Sequence, residues 1–391
     1  MKSVVLRGPV LTQSGYGVHC RQVARWLLNR KDVDVKFIAT PWGDTPWLVN
    51  PDTNEGFIGR VMSRSVDPSM VKNNDMSIQL QLPNEWDPTF SKVNVGITAA
   101  VETDRCNPQW VTACNAMDMV IVPSQHTKSN ILNSGAVGKP FHIIPESFSD
   151  SIKNVNVTEF NKLPTSFNFL VFGQLTGNNP ENDRKNVFYT IKWLCDVFKD
   201  DKDVGVILKT NAGRNSKIDR MFITNLLKQV INEARHGVQT LGPKFYLLHG
   251  DMSDDEVASL YRSSQVKALI SLTRGEGYGL PILEAAASGL PVIATNWSGH
   301  LDFLNKGKFI SIDYKLAPVH PSRIDNGIFV PGMRWAHPSE DDFKRRVLKF
   351  RGSSSTPKEW AIELQKKILV DYDFSRISAM YDETIGKLLE T

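Results

Sequence analysis

Short apolar runs separated by helix-length stretches recur along most of the chain, and this alternation restricts the possible folds more than any other feature. Val4 to Leu6 opens as a strand, Thr12 to Gly17 as a polar, Gly-bearing loop, and Val18 to Leu28 as a helix with Val23, Trp26 and Leu27 on its buried stripe. Val33 to Ala39 follows as the next strand. Parallel neighbours need a crossover about a helix long, so this order predicts a doubly wound α/β domain. Further strands are predicted at Ser77 to Leu82, Val93 to Thr98, Met119 to Val122 and His142 to Ile144.

The alternation stops once. Glu146 to Ser166 is rich in Ser, Asn, Lys and Thr and has little periodicity, which predicts a linker. Beyond it, strands are predicted at Phe167 to Phe172, Val204 to Lys209, Phe245 to His249, Ala268 to Ser271 and Val292 to Ala294, again alternating with helices. A chain of 391 residues exceeds what one core usually serves. We therefore expect two Rossmann-like domains, residues 1–150 and 160–370, facing each other across a cleft, with a helix from Phe374 to the end crossing back to the first.

Hydrophobic residues make up 41% and charged residues 23%, as in ordinary globular enzymes rather than disordered or fibrous chains. The net charge of +4 permits an anionic partner but falls far short of a basic nucleic-acid arm. Cys20, Cys106, Cys114 and Cys195 lack CxxC spacing, so neither a disulfide framework nor a zinc site is expected. No stretch offers eighteen uninterrupted apolar residues, and the N-terminus has no long apolar region. The expected location is the cytoplasm, without membrane insertion, so the glycosylation sequons at Asn156 and Asn296 carry little weight.

Chemistry concentrates in Arg274-Gly-Glu-Gly-Tyr-Gly-Leu-Pro-Ile-Leu-Glu284. The apolar run before it delivers a strand, Gly275 to Gly279 forms a loop, and Pro281 suits the first turn of a helix running to about Ser288. The loop thus falls at the carboxyl end of a strand, where open α/β sheets bind ligands. Glu276 on the loop and Glu284 on the helix carry carboxylates that accept hydrogen bonds from sugar or ribose hydroxyls. Backbone N–H groups of Gly279 and Leu280, with the flexible Gly277 beside them, suit a diphosphate at the helix N-terminus. An ordinary strand, turn and helix with two solvated glutamates is the competing account. The basic run Lys344 to Arg351 follows Ser339-Glu-Asp-Asp342, so a capped helix with acids first and bases last explains it without a ligand. The three Asp-x-Asp matches at Asp32, Asp201 and Asp371 are too dispersed to suggest a metal site.

Glu276, seven residues and Glu284, followed by Gly289-Leu-Pro-Val292, resembles the signature of glycosyltransferase family 4 in the GT-B superfamily. The resemblance implies a GT-B fold and a retaining, metal-independent transferase with a nucleotide-sugar donor. Glu276 then faces the donor sugar and Glu284 the ribose. Gly15-Tyr16-Gly17 resembles the family's loop after the first strand, which closes on the donor. Arg184-Lys185-Asn186 resembles the Arg-Lys-Gly turn whose cations hold the diphosphate, while Gln174 stands where the family has an arginine. Arg184, Lys185 or Lys209 at a strand terminus supplies the missing charge. Glu102-Thr103-Asp104-Arg105 resembles the run lining the acceptor cleft, but the usual histidine is absent, leaving Glu102 and Asp104 as polar candidates. A surface ion pair of Asp104 with Arg105 is the alternative.

Asp75 to Pro88, Glu102 to Asp104 and Trp297-Ser-Gly-His300 resemble a branch of the family encoded by bacteriophages. That resemblance implies an acceptor, with hydroxymethylcytosine in the phage's DNA as the first reading and a cell-envelope glycan or lipid as the alternative. Arg60, Arg64, Lys72 and Lys92 are compatible with DNA phosphates, Trp42 and Trp47 with an interfacial loop; Arg60 and Arg64 equally fit a solvated helix face. Two other classes share the fold: a sugar-phosphate epimerase or phosphorylase, and a catalytically inactive binding module.

Overall fold

The structure is a computed structural model that describes the chain except residues 72, 155, 156, 158–162, 176–178, 212, 214 and 391 and the side chain of 390. Lys72, the sequon residue Asn156 and a third of the expected linker lie outside the described residues. The chain forms two compact units, Met1–Ser147 together with the C-terminal segment from Tyr372, and Phe148–Asp371.

The first unit is built on a six-stranded parallel sheet of β1 (Lys2–Gly8), β2 (Val33–Ala39), β3 (Met76–Leu80), β4 (Val93–Ile97), β5 (Met119–Val122) and β6 (Phe141–Ile143), in the order β2-β1-β3-β4-β5-β6. Leu6 of β1 stands between Phe37 of β2 and Ile78 of β3, all fully buried. The first helix, Gly15–Asn29, buries Val23, Trp26 and Leu27 against this sheet. The helix Phe374–Tyr381, continued by a π-helical stretch Asp382–Gly386 and the α-helical turn Lys387–Glu390, adds Ile377, Tyr381, Ile385 and Leu389 to the same core. Tyr381 stacks on Trp26 at 5.3 Å, and Trp26 Nε1 donates to Asp382 at 2.9 Å.

The second unit repeats the plan with β7 (Phe167–Phe172), β8 (Val204–Thr210), β9 (Lys244–His249), β10 (Val266–Ser271), β11 (Val292–Thr295) and β12 (Ile310–Ile312), in the parallel order β12-β11-β10-β7-β8-β9. Sequences such as FNFLVF in β7 are apolar without alternation because helices cover both faces of a parallel sheet. Capping boxes at Ser216/Asp219 and Ser253/Glu256 start two of the helices. The basic run lies in Glu340–Gly352, capped by Ser339, opening on Glu340, Asp341 and Asp342 and closing on Lys349 and Arg351, the expected charge order. An antiparallel hairpin, β13 (Tyr314–Pro318) with β14 (Arg334–Pro338), was not foreseen. In this sheet the strand order reverses between β7 and β10, which opens a crevice beyond their carboxyl ends.

Candidate functional site

Glu276 and Lys185, 91 positions apart in sequence, meet at that reversal. Lys185 follows β7 and Glu276 follows β10; the Lys185 Nζ donates to Glu276 Oε1 at 2.6 Å. Arg184 Nη1 lies 3.2 Å from Glu276 Oε2 and donates to the Gly275 carbonyl at 2.7 Å. Burial alone pushes a carboxyl group's pKa up; here the charges of Lys185 and Arg184 prevail and hold Glu276 at about 2. Two cations against one carboxylate leave a positive excess, which suits an anionic ligand. A depression is lined by Phe172, Lys185, Ser271, Glu276, Gly279 and Pro281.

The backbone before Lys185 explains how that lysine is presented. Asp183 accepts from Lys185 N at 2.9 Å and Val187 N at 2.6 Å, which fixes the turn into helix Val187–Val197. Asn186 occupies the left-handed region with φ 56°, where the family resemblance has glycine. Across the crevice, Gly279 at φ 102° turns the loop into helix Leu280–Ala287, whose first turn has Pro281 and no side-chain cap. Leu280 and Gly279 therefore stand at an N-terminus suited to anions. Gly277 packs so closely on the next loop that a Cβ on Gly299 would meet its carbonyl oxygen at 2.1 Å.

Glu284 occupies a different environment. Its half-buried carboxyl lies near Tyr261, Ser149 and Asp254; burial and then the Asp254 charge raise it to about 7, against the lowering effects of Tyr261 and the Ser149 backbone. Lys209, one residue before the end of β8, donates to Asn211 Oδ1 and the Gly250 carbonyl, both at 2.6 Å, rather than to Glu276. Burial draws its ammonium down to about 8, although nearby Asp251 opposes this.

In the first unit one expectation is corrected. Gly15 and Gly17 are not in a loop: the helix begins at Gly15, and Ser14 Oγ caps it by accepting from Gly17 N at 2.9 Å. Capping by Ser14 ends the loop earlier than glycine content suggests. Gly17 is required by packing, since a Cβ there would lie 2.1 Å from the Thr12 carbonyl oxygen, whereas Gly15 faces open space. Between them Tyr16 reaches beyond β4, its hydroxyl 3.1 Å from Thr98 Oγ1 and accepting from Ala99 N at 3.0 Å, while its ring stacks on Trp42 at 3.8 Å. Trp47, by contrast, is 41% exposed.

Glu102 and Asp104 lie in the segment after β4. Asp104 is 3.7 Å from Arg105 Nε, the local ion pair weighed as the alternative, and Glu102 is close enough for its charge to act on Tyr16. Lys92 pairs with Asp75 at 2.8 Å beside the amino ends of β3 and β4, at the opposite edge of the sheet from Glu102 and Asp104. Arg60 and Arg64 are exposed at the end of helix Phe57–Met62 and just beyond it, with the Arg60 guanidinium over Phe57.

Three residues of the site escaped the sequence reading. Arg274 is 2% exposed, 3.1 Å from Glu181 and over the Trp335 ring of the unforeseen hairpin. Ser298 Oγ accepts from Glu276 N at 2.9 Å, and His300 is buried behind it. The only sequence signal for the last two was the Trp297 to His300 resemblance. Among the described residues no three His, Cys, Asp or Glu side chains stand together as metal ligands, and no helix is long and apolar enough to cross a membrane.

Residues 240–316 match the family model of glycosyl transferases group 1. The chain thus carries a glycosyltransferase segment, which includes Glu276, Glu284 and Ser298. A stretch of 110 residues, 28% of the chain, is 32% identical to the serotype-specific mannosyltransferase WbdA of Escherichia coli, of whose length it covers 12%. Among solved structures, HepE of Anabaena in complex with UDP and glucose superposes with a TM-score of 0.67 at 12% identity, covering 99% of this chain and all of that one. A glycosyltransferase from Rickettsia africae gives 0.67 at 12% identity over 100% and 99% of the two chains. Sucrose-phosphate synthase of Thermosynechococcus elongatus gives 0.62 at 13% identity over the full length of both. These likenesses establish a GT-B fold.

Proposed function

We propose that the chain is a retaining, metal-independent glycosyltransferase that moves a sugar from a nucleoside diphosphate sugar to a hydroxyl acceptor. The observation that carries this reading is the Glu276 carboxylate held by Lys185 and Arg184 at the strand reversal, within the segment matching glycosyl transferases. Glu276 accepts hydrogen bonds from donor-sugar hydroxyls; Lys185 and Arg184, with the helix start at Gly279 and Leu280, meet the diphosphate. Glu284 receives the ribose, and Lys209 adds charge at the end of β8.

In the reaction, the acceptor oxygen bonds to the anomeric carbon as the bond from that carbon to the phosphate oxygen breaks. The electron pair leaves with the nucleoside diphosphate, whose oxygen takes the acceptor proton on the same face, so configuration is retained. Catalysis rests on positioning and on stabilising charge at the departing oxygen. The family 4 resemblance supports retention.

For the acceptor, a surface carbohydrate now has the better support. The curated relative is a serotype-specific mannosyltransferase, whereas of the basic residues compatible with DNA phosphates Arg60 and Arg64 are exposed, Lys92 pairs with Asp75, and Lys72 lies outside the described residues. The test begins with a thermal-shift screen of nucleotide sugars, because a donor that binds only the folded state raises its midpoint. The best donor is then incubated with a mannose oligosaccharide and, separately, with duplex DNA containing hydroxymethylcytosine, and products are weighed. Sugar on the oligosaccharide supports the carbohydrate acceptor; sugar on the base reverses that choice. Turnover of the donor with neither acceptor, or only with free phosphate, overturns the transferase reading.

A further inference from the structure

Ser298 has a backbone φ of 90°, where an L side chain is strained and glycine is at ease. Close approaches at Gly299 and Gly279 show why the loop has so little room. A Cβ on Gly299 would meet the Gly277 carbonyl oxygen at 2.1 Å, and one on Gly279 would approach His300 Cβ at 3.2 Å. Yet a serine side chain is kept at the strained position, buried with 5% exposure.

The hydroxyl accounts for it. His300 Nε2 lies 2.7 Å from the Thr295 carbonyl oxygen, which can only accept, so Nε2 bears the proton. Burial keeps the ring neutral, leaving Nδ1 as an acceptor 3.4 Å from Ser298 Oγ. Ser298 Oγ donates there and accepts from Glu276 N at 2.9 Å, while Gly299 N donates to the Glu276 carbonyl at 2.9 Å. Both backbone polar groups of Glu276 are thereby tied to one loop, and the chain of donors ends on the strand β11 that anchors it.

We propose that Ser298 is a positioning residue for Glu276, its hydroxyl oriented by the His300 tautomer, and that the backbone strain is retained for that hydrogen bond. This inference rests on the reading of Glu276 as the carboxylate that faces the donor sugar. Strain of this kind persists where surrounding structure over-determines it, and here both loops do.

The test compares the full chain with Ser298→Gly, Ser298→Ala and Glu276→Gln. Glycine removes the hydroxyl and the strain, alanine the hydroxyl alone. Thermal midpoints should therefore rank glycine at or above alanine. Amide hydrogen exchange at Glu276 should quicken in both Ser298 variants, whatever their midpoints. Calorimetry with UDP against UDP-glucose, and GDP against GDP-mannose, reads the affinity contributed by the sugar. That sugar-dependent gain should fall about tenfold in all three variants, the loss of roughly one well-placed hydrogen bond, with affinity for the nucleotide alone unchanged. A gain kept by Ser298→Gly but lost by Glu276→Gln overturns the positioning role alone. A gain kept by Glu276→Gln overturns the reading of Glu276 beneath it. Where the wild type distinguishes neither sugar from its nucleotide, the exchange rate decides: unchanged protection at Glu276 in the glycine variant overturns the proposal.

Discussion

Glu276 and Glu284 are eight positions apart, yet their surroundings drive their acidities in opposite directions, and the pH dependence of stability should separate them. Glu276 is held at about 2 in the fold, against its ordinary value of 4.5. Its stabilising contribution is complete above the unfolded value and is lost as pH falls from 4.5 toward 2. Glu284 sits at about 7, so between 4.5 and 7 the folded chain holds a proton that the unfolded chain has released. Stability attributable to Glu284 accordingly declines as pH rises through that window. Thermal midpoints of wild type and Glu284→Gln at pH 5 and pH 7.5 check this: the glutamine variant should lose less on going to the higher pH, and an identical loss would refute the assignment. Lys185→Met tests the other partner. Removing it leaves the Glu276 carboxylate with Arg184 alone, and because the lysine is itself 29% exposed we expect a cost of about 1–3 kcal/mol rather than the full penalty of a dry broken pair. Urea denaturation measures it, and Kd for the best donor should rise in parallel.

At the scale of elements, the first helix offers a contrast between two glycines that sequence alone treats alike. Gly15→Ala adds a methyl group to open space in a helical position and should be neutral or stabilise by about 0.5–1 kcal/mol. Gly17→Ala drives the same methyl group into the Thr12 carbonyl and must shift the helix start, for which about 2–3 kcal/mol of destabilisation is expected by analogy with overpacking. Equal midpoints for the two variants would show that the helix start is softer than its packing indicates. The expected Gly loop and the observed helix differ for a reason visible in Ser14, since a capping hydroxyl begins the helix wherever it can reach the third amide. The hairpin β13–β14 was missed because its first strand, YKLAP, is largely exposed and has no run of buried residues to announce it.

At the scale of the molecule, residues from Tyr372 onward are part of the first unit's core although they follow the second unit in sequence. Deleting them would uncover the faces that receive Ile377, Tyr381, Ile385 and Leu389. Trp26→Ala probes the same contact without truncation. It removes the stack on Tyr381 and the hydrogen bond to Asp382, and should cost about 3–5 kcal/mol. A cost near zero, measured by denaturant titration, would mean that the C-terminal segment contributes little to that unit. A further expectation concerns the proposed reaction: diphosphate charge is met by Lys185 and Arg184, so turnover should persist in EDTA. Loss that manganese or magnesium restores would reveal a metal requirement.

What the sequence determined by itself was the local order: β2, β5 and β7 have the expected bounds, and the helix after Gly279 begins within a residue of its expected start. Apolar runs, Pro281 and the capping serines act over a few residues, so they can be read without knowing the fold. Glu276 and Glu284 were legible as candidates from residue type and spacing within such segments, Lys185 and Arg184 from their resemblance to the family's Arg-Lys-Gly turn. Their pairing was not. Lys185 meets Glu276 only because strand order places β7 beside β10, although β8 and β9 intervene in the sequence. Likewise the burial of Arg274 depends on a hairpin some sixty residues later, and the strain at Ser298 on how closely Gly299 packs against Gly277. Charge, burial and backbone strain at these positions are properties of distant neighbours, and only the tertiary structure decides who those neighbours are.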